Sequence, residues 1–245
     1  YSLMKYFKIF ILFITWTLLF PQHAGGDFSL VGQLPRGEFA VQEVPAGFGI
    51  GINGILYPVK ELGFGLNLGY SVYGHSQRQI PFNYFTDLVS ITEKTTNEIG
   101  YGHLFFRILP FHGNIRPHFE GLVGLKNLST TTELINNNCT DNADTEHDDC
   151  QIAESTNASD NAFSYGFGTG LEVKLTTLED ENGDSAGELS FFINARYLMG
   201  AKAKYLKEGS ITFSDPQDGP VETSFNWTES KTDLLQLSIG LSIYF

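Results

Sequence analysis

The segment Leu234 to Phe245 constrains this chain more than any other. Its odd positions read Leu, Leu, Ile, Leu, Ile, Phe, and its even positions read Leu, Gln, Ser, Gly, Ser, Tyr. Successive side chains of a strand point to opposite faces, so one face is apolar and the other small and polar. A strand this regular, running to a terminal aromatic, suits a sheet closed on itself in a bilayer. Lipid offers no hydrogen bonds, so every strand there must pair along its length.

The rest of the chain extends the same pattern. Alternating segments are expected over about 27–34, 46–58, 62–75, 95–109, 115–129, 161–176, 187–205 and 231–245, which makes eight strands. The gaps between them alternate in length. Pro35 to Pro45, Ser76 to Lys94, Thr130 to Asp160 and Leu206 to Ser230 are long. Those around Val59, around Pro110 to Asn114 and over Glu179 to Asp184 are short. Long loops at one end and short turns at the other are how outer-membrane barrels are built, and an even strand count puts both termini on the periplasmic side. The expected fold is an all-β, transmembrane, eight-stranded, antiparallel up-and-down barrel.

Face assignment follows from charge. Phe64, Leu66, Leu68 and Tyr70 oppose Gly65, Asn67 and Gly69, and Leu189, Phe191 and Ile193 oppose Glu188, Ser190 and Asn194. A charge facing lipid at mid-depth costs about 2–4 kcal/mol, so the polar faces should line the lumen. Aromatic belts are expected at both interfaces. Tyr57, Phe64, Phe111, Tyr244 and Phe245 would mark the periplasmic one, and Tyr70, Tyr73, Phe163, Tyr165 and Tyr205 the outer one.

At the N-terminal end, Lys5 and Lys8 precede the apolar run Ile9 to Phe20 and then Pro21 to Gly26. That is the layout of a secretory signal peptide, too short to span a bilayer comfortably. Residues 1–26 are read as the signal, with Tyr1 to Leu3 upstream of the start, and 27–245 as the barrel. Asp plus Glu number 28 against 15 Lys plus Arg, which argues against a nucleic-acid partner.

The chain resembles the small outer-membrane β-barrel proteins of Gram-negative bacteria, especially the barrel-domain family common in Bacteroidota. The residues that carry the likeness are Leu34-Pro35-Arg36-Gly37-Glu38-Phe39, Gly47-Phe48-Gly49, Tyr57-Pro58, Arg107 with Pro110, Arg116-Pro117, Arg196-Tyr197, and Thr232-Asp233-Leu234-Leu235 running on to Phe245. The resemblance implies the fold and the outer membrane, with its lipid and lipopolysaccharide as surroundings. It also implies insertion by the barrel-assembly machinery, with Leu241, Ile243 and Phe245 as the C-terminal assembly signal. It implies no activity.

Three constellations could carry chemistry. Arg107, Arg116, His118, Glu120, Lys126, Glu172, Lys174, Glu188 and Arg196 fall on the inward face. An eight-stranded lumen is only wide enough for side chains to fill it, so these charges should pair into a luminal ionic network. The third long gap is acidic, and Asp141, Asp144, Glu146 and Asp148 offer oxygens for a hard cation such as calcium. That gap lacks the glycine and terminal glutamate of an EF-hand, and a solvated acidic loop pinned by its disulfide accounts for it better. Cys139 and Cys150 bracket this stretch and are expected to form a disulfide in an exported protein.

No nucleophile elbow, P-loop or dinucleotide fingerprint is present. No cofactor and no enzymatic activity are expected. The expected role is membrane-structural or surface-binding, through long extracellular loops. The alternatives are a small channel or transporter and, further off, a lipid-modifying enzyme.

Overall fold

The computed structural model describes residues 23–81, 90–136, 151–180, 184–207, 210–213 and 223–245. Eight strands close into a barrel: β1 (His23–Pro35), β2 (Gly47–Val59), β3 (Leu62–Pro81), β4 (Ser90–Ile108), β5 (Ile115–Asn136), β6 (Gln151–Glu179), β7 (Ser185–Gly200) and β12 (Leu234–Tyr244). Each pairs antiparallel with its neighbour in sequence. The ring is sealed by β1 against β12, from Gly25↔Tyr244 to Pro35↔Leu234. Between β7 and β12 lie the short pairs β8 (Lys202–Tyr205) with β11 (Thr228–Lys231), and β9 (Ile211–Phe213) with β10 (Thr223–Phe225).

The face pattern places the membrane. Phe28, Leu30, Ile50, Ile52, Leu66, Leu104, Phe119, Phe167, Ile193, Ile239 and Leu241 are all exposed on the outer wall. Arg107, Glu120, Lys126, Glu172 and Arg196 are buried in the lumen. A soluble barrel would invert this order. On β5 the outward residues stay apolar from Ile115 to Leu125, an eleven-residue run of the length a tilted transmembrane strand needs. The outward face then turns polar. Asn127 donates from Nδ2 to Asn161 Oδ1 at 3.0 Å and to Ser159 Oγ at 3.0 Å, and Ser129 donates to Glu98 at 3.4 Å. These groups mark the upper edge of the apolar belt.

Four strands continue past that edge. β3, β4, β5 and β6 run 20, 19, 22 and 29 residues. The sequence reading ended them near 75, 95, 129 and 161 and took the remainder as loop. The structure instead builds a four-stranded polar sheet that rises over part of the rim. Beyond Leu125, β5 continues to Asn136, roughly 35 Å of extended chain at about 3.4 Å per residue.

The first long connection is also more than a loop. Gly37–Val41 forms the short helix α1, and Phe39 is completely buried, edge-on to Tyr73 and Tyr205 with ring centroids 6.2 and 5.2 Å away. Gly37 has φ of +55°, a conformation that glycine adopts without strain. Asp233 sits against it, accepting from Gly200 N at 2.9 Å, while its own carbonyl accepts from Arg36 N at 2.9 Å. Phe39, Tyr73, Tyr205, Leu128, Leu198 and Leu234 thus form an apolar stopper at the long-loop end.

The aromatic-belt expectation needs correction here. Phe64, Phe245, Tyr70, Phe163 and Tyr165 are exposed on the outside of the barrel, and Phe111 is exposed in the turn between β4 and β5. Tyr73 and Tyr205 instead belong to the stopper, and Tyr57 and Tyr244 turn into the lumen. Their strand parity aims them inward, and their hydroxyls find partners there.

Candidate functional site

The lumen is filled from the turn end by one chain of ion pairs. Glu120 accepts from Arg107 Nε and Nη2 at 2.9 and 2.8 Å through Oε1, and from Arg196 Nε at 2.7 Å through Oε2. Arg107 lies 3.8 Å from Glu172, whose other oxygen accepts from Arg116 at 2.6 Å. Arg116 also donates to Glu188 and, at 2.8 Å, to Ser190 Oγ. Lys174 closes the chain on Glu188 at 3.0 Å. Two tyrosines tie in: Tyr244 donates to Glu172 at 2.7 Å, and Tyr57 and Tyr244 each accept from Arg107, at 3.4 and 3.3 Å. Seven charged side chains from β4, β5, β6 and β7 therefore alternate in sign. Each satisfies its neighbour in a space that water would otherwise have to fill.

Lys126, also read as luminal, stands apart from this chain. It is fully buried beneath the stopper, where its ammonium donates to the carbonyl of Thr232. The buried charge thereby tethers the chain just ahead of β12. His118 lies 3.7 Å from Glu120, and His103 Nε2 is 3.0 Å from Ser164 Oγ. Asp27 and Asn53, which the sequence reading did not single out, form a further luminal pair at 2.5 Å, and Asn67 donates to Asn53 at 2.6 Å. The signal for them was inward parity alone, and parity does not distinguish a network member from a lumen filler.

Room for these side chains comes from glycine. A Cβ on Gly69 would overlap the Tyr101 ring, which fills the barrel at that level and whose hydroxyl accepts from Gln236 at 3.2 Å. Polar network below, aromatic filling in the middle and apolar stopper above occupy successive levels of the lumen. A cavity of about 320 Å³ opens at the turn end, between Tyr57, Arg116, Lys174, Glu188, Tyr244 and Phe245.

Three sets of sequence candidates remain. Leu241 and Ile243 lie outward on β12 and Phe245 directly follows it, all three exposed on the outer wall. The cation candidates Asp141, Asp144, Glu146 and Asp148, and the cysteines Cys139 and Cys150, lie outside the described residues, as does the signal segment up to Gln22. His23 to Gly26, read as its end, are paired in β1. Among the described residues, no cluster of three or more His, Cys, Asp or Glu is arranged to hold a metal.

No protein-family model and no curated protein matches the chain. Solved structures do, at low identity. Neisserial surface protein A is 8% identical, over 91% of this chain and 94% of that one, with a TM-score of 0.35. Ail, the attachment invasion locus protein of Yersinia pestis, is 12% identical, over 91% and 97%, with a TM-score of 0.33. The outer membrane protease OmpT from Escherichia coli is 11% identical, over 92% and 98%, with a TM-score of 0.35. At such identities and TM-scores, none of these likenesses transfers a role to this chain.

Proposed function

We propose that the protein is an outer-membrane barrel that works without catalysis, holding a rigid binding surface above the lipopolysaccharide layer. The observation that carries this reading is the polar β3–β6 sheet, built past the apolar belt on a barrel whose lumen is occupied by its own side chains. A channel would need a passage where Arg107, Glu120 and Arg196 interlock, and an enzyme would need a reactive set at the rim. Ordered strands that continue into water serve instead to display a surface.

In this reading the long-loop end faces outward and the short turns and both termini face the periplasm. The apolar segment Ile9 to Phe20 acts as the export signal, and the assembly machinery reads the outward residues of β12. A disulfide between Cys139 and Cys150 closes the longest external connection. Calcium, where present, bridges its carboxylates to lipopolysaccharide phosphates.

The test combines topology and conductance. An epitope placed at 137–150 should be reached by antibody on intact cells, and one placed at 180–184 should be reached only after the outer membrane is opened. The purified barrel in a planar bilayer should carry no steady current. A large, steady current would overturn the sealed-barrel reading. A mature chain that stayed folded and monomeric in detergent-free buffer would overturn the membrane reading altogether.

A further inference from the structure

The ion-pair chain forms only one wall of the cavity at the turn end. The other walls come from different parts of the barrel and are hydrogen-bonded to one another. Leu109 N donates to Glu61 O at 2.8 Å, which joins the β4–β5 turn to the β2–β3 turn. Lys174 N donates to Asn114 O at 2.8 Å, which joins the same β4–β5 turn to β6. Phe245 N donates to Ala24 O at 2.8 Å and fixes the residue after β12 on β1. Backbone therefore holds open the space of about 320 Å³ between them, as in a pre-formed ligand pocket.

The lining is rich in donors and short of acceptors. Both of its carboxylates are already engaged at each oxygen. Glu172 accepts from Arg116 through Oε1 at 2.6 Å and from Tyr244 through Oε2 at 2.7 Å. Glu188 accepts from Arg116 and Ser190 through Oε1 and pairs with Lys174 through Oε2 at 3.0 Å. The cations keep donors in reserve. Arg116 reaches Glu172, Glu188 and Ser190 through Nη2, and its Nε is buried without an acceptor among the described residues. An ammonium has three N–H bonds, and Lys174 uses one on Glu188. Lys60 stands exposed at the mouth, while Glu61 beside it is 3.6 Å from His112. Lys60, Arg116 and Lys174 thus meet two acids on the wall, a surplus of one positive charge in a chain of net charge −13.

The rest of the lining is apolar. Tyr57 and Leu109 are each only 5% exposed, and the Tyr57 and Tyr244 rings meet edge-on with centroids 5.8 Å apart. The Arg116 guanidinium carbon lies 5.5 Å from the Tyr244 ring centroid, so cationic and aromatic walls adjoin. At roughly 30 Å³ each, about ten non-hydrogen atoms fill the space. A lipid chain or a folded partner is too large for it. A single surplus charge suits a monoanion, and a carboxylate matches the guanidinium fork.

We propose that the turn-end cavity binds a small organic monocarboxylate, with its anionic group on Arg116 and Lys174 and its apolar body against Tyr57, Leu109 and Tyr244. In the orientation proposed above, the ligand arrives from the periplasm. The site lies at the opposite end from the display surface, and neither reading depends on the other.

The probe is 4-fluorobenzoate, followed by fluorine NMR against the full barrel in lauryl maltoside micelles, with protein-free micelles as the blank. Its shift should saturate with a dissociation constant of about 1 mM. The amide of the same acid has its shape without its charge, and should bind roughly tenfold more weakly or less. Lys174→Gln leaves Glu188 with Arg116 and Ser190, and should weaken the acid about fivefold. Lys202→Gln, at the long-loop end, should change nothing.

An amide that binds as tightly as the acid would overturn the anion assignment. Equal losses in the two lysine variants would overturn the placement. A barrel shown to be folded by its heat-dependent gel mobility, yet giving no saturable shift, would remove the site and leave the display reading standing.

Discussion

Replacing Glu120 by Ala should destabilise the barrel more than any conservative change on its outer wall. Glu120 is buried and accepts three charge-assisted hydrogen bonds, two from Arg107 and one from Arg196. Removing one member of a buried pair costs about 3–5 kcal/mol, mostly because the remaining charge is left uncompensated. Arg107 would keep Glu172 at 3.8 Å and two tyrosine hydroxyls. Among the described residues Arg196 would lose its ion pair and be left over the face of Phe105, 5.8 Å from its guanidinium carbon. The expected loss is therefore about 4 kcal/mol for Glu120→Ala, and about 2 kcal/mol for Glu120→Gln, which keeps the acceptor and loses the charge.

The companion variant separates charge from packing. Arg107→Met, Glu120→Leu and Arg196→Met together remove the whole triad, and should lie within about 1 kcal/mol of wild type, because no triad member is left unpaired, Glu172 keeps Arg116 and Asp27 keeps Asn53. The assay is urea unfolding of the barrel in lipid vesicles, followed by gel mobility of unheated samples. A loss below about 1 kcal/mol for Glu120→Ala, or a triple variant as unstable as the single one, would refute the account of the lumen as a paired network.

Three further outcomes follow from the geometry. Ile239→Arg puts a charge on the lipid wall near the middle of β12 and should cost about 2–4 kcal/mol in the same assay, while Phe245→Arg at the interface should cost under about 1 kcal/mol. Phe39→Ala empties the stopper and should weaken docking of α1 by about 3 kcal/mol, seen as faster trypsin cleavage after Arg36 with global unfolding nearly unchanged. Burial holds the Tyr205 hydroxyl above its ordinary value. Its contribution to α1 docking is thus complete below about pH 10 and is lost as pH rises beyond that, so cleavage after Arg36 should accelerate only in strong alkali.

The strand order and both faces were legible because a membrane barrel imposes a two-residue period wherever lipid stands on one side and the lumen on the other. Leu234 to Phe245 shows that period without a break. Above the belt both faces meet water, and the contrast disappears. Thr130-Thr131-Thr132 and Ser155-Thr156-Asn157 read as loop although they are strand. The luminal charges were visible from parity, but their partners were not. Nothing in the spacing of Glu120, on β5, and Arg196, on β7, says that the two meet across the lumen. The helix α1 was hidden for a different reason. Its five residues are held by contacts to Asp233, Tyr73 and Tyr205, all distant in sequence, rather than by any local pattern.

Every hairpin in this ring can zip from its own turn except the joint between the first and last strands. Phe28 meets Leu241 there, roughly two hundred positions along the chain, and such a contact carries the slowest loop closure of any in the molecule. Assembly must therefore keep the first strand waiting, its margin unsatisfied, until the last strand is made and can meet it.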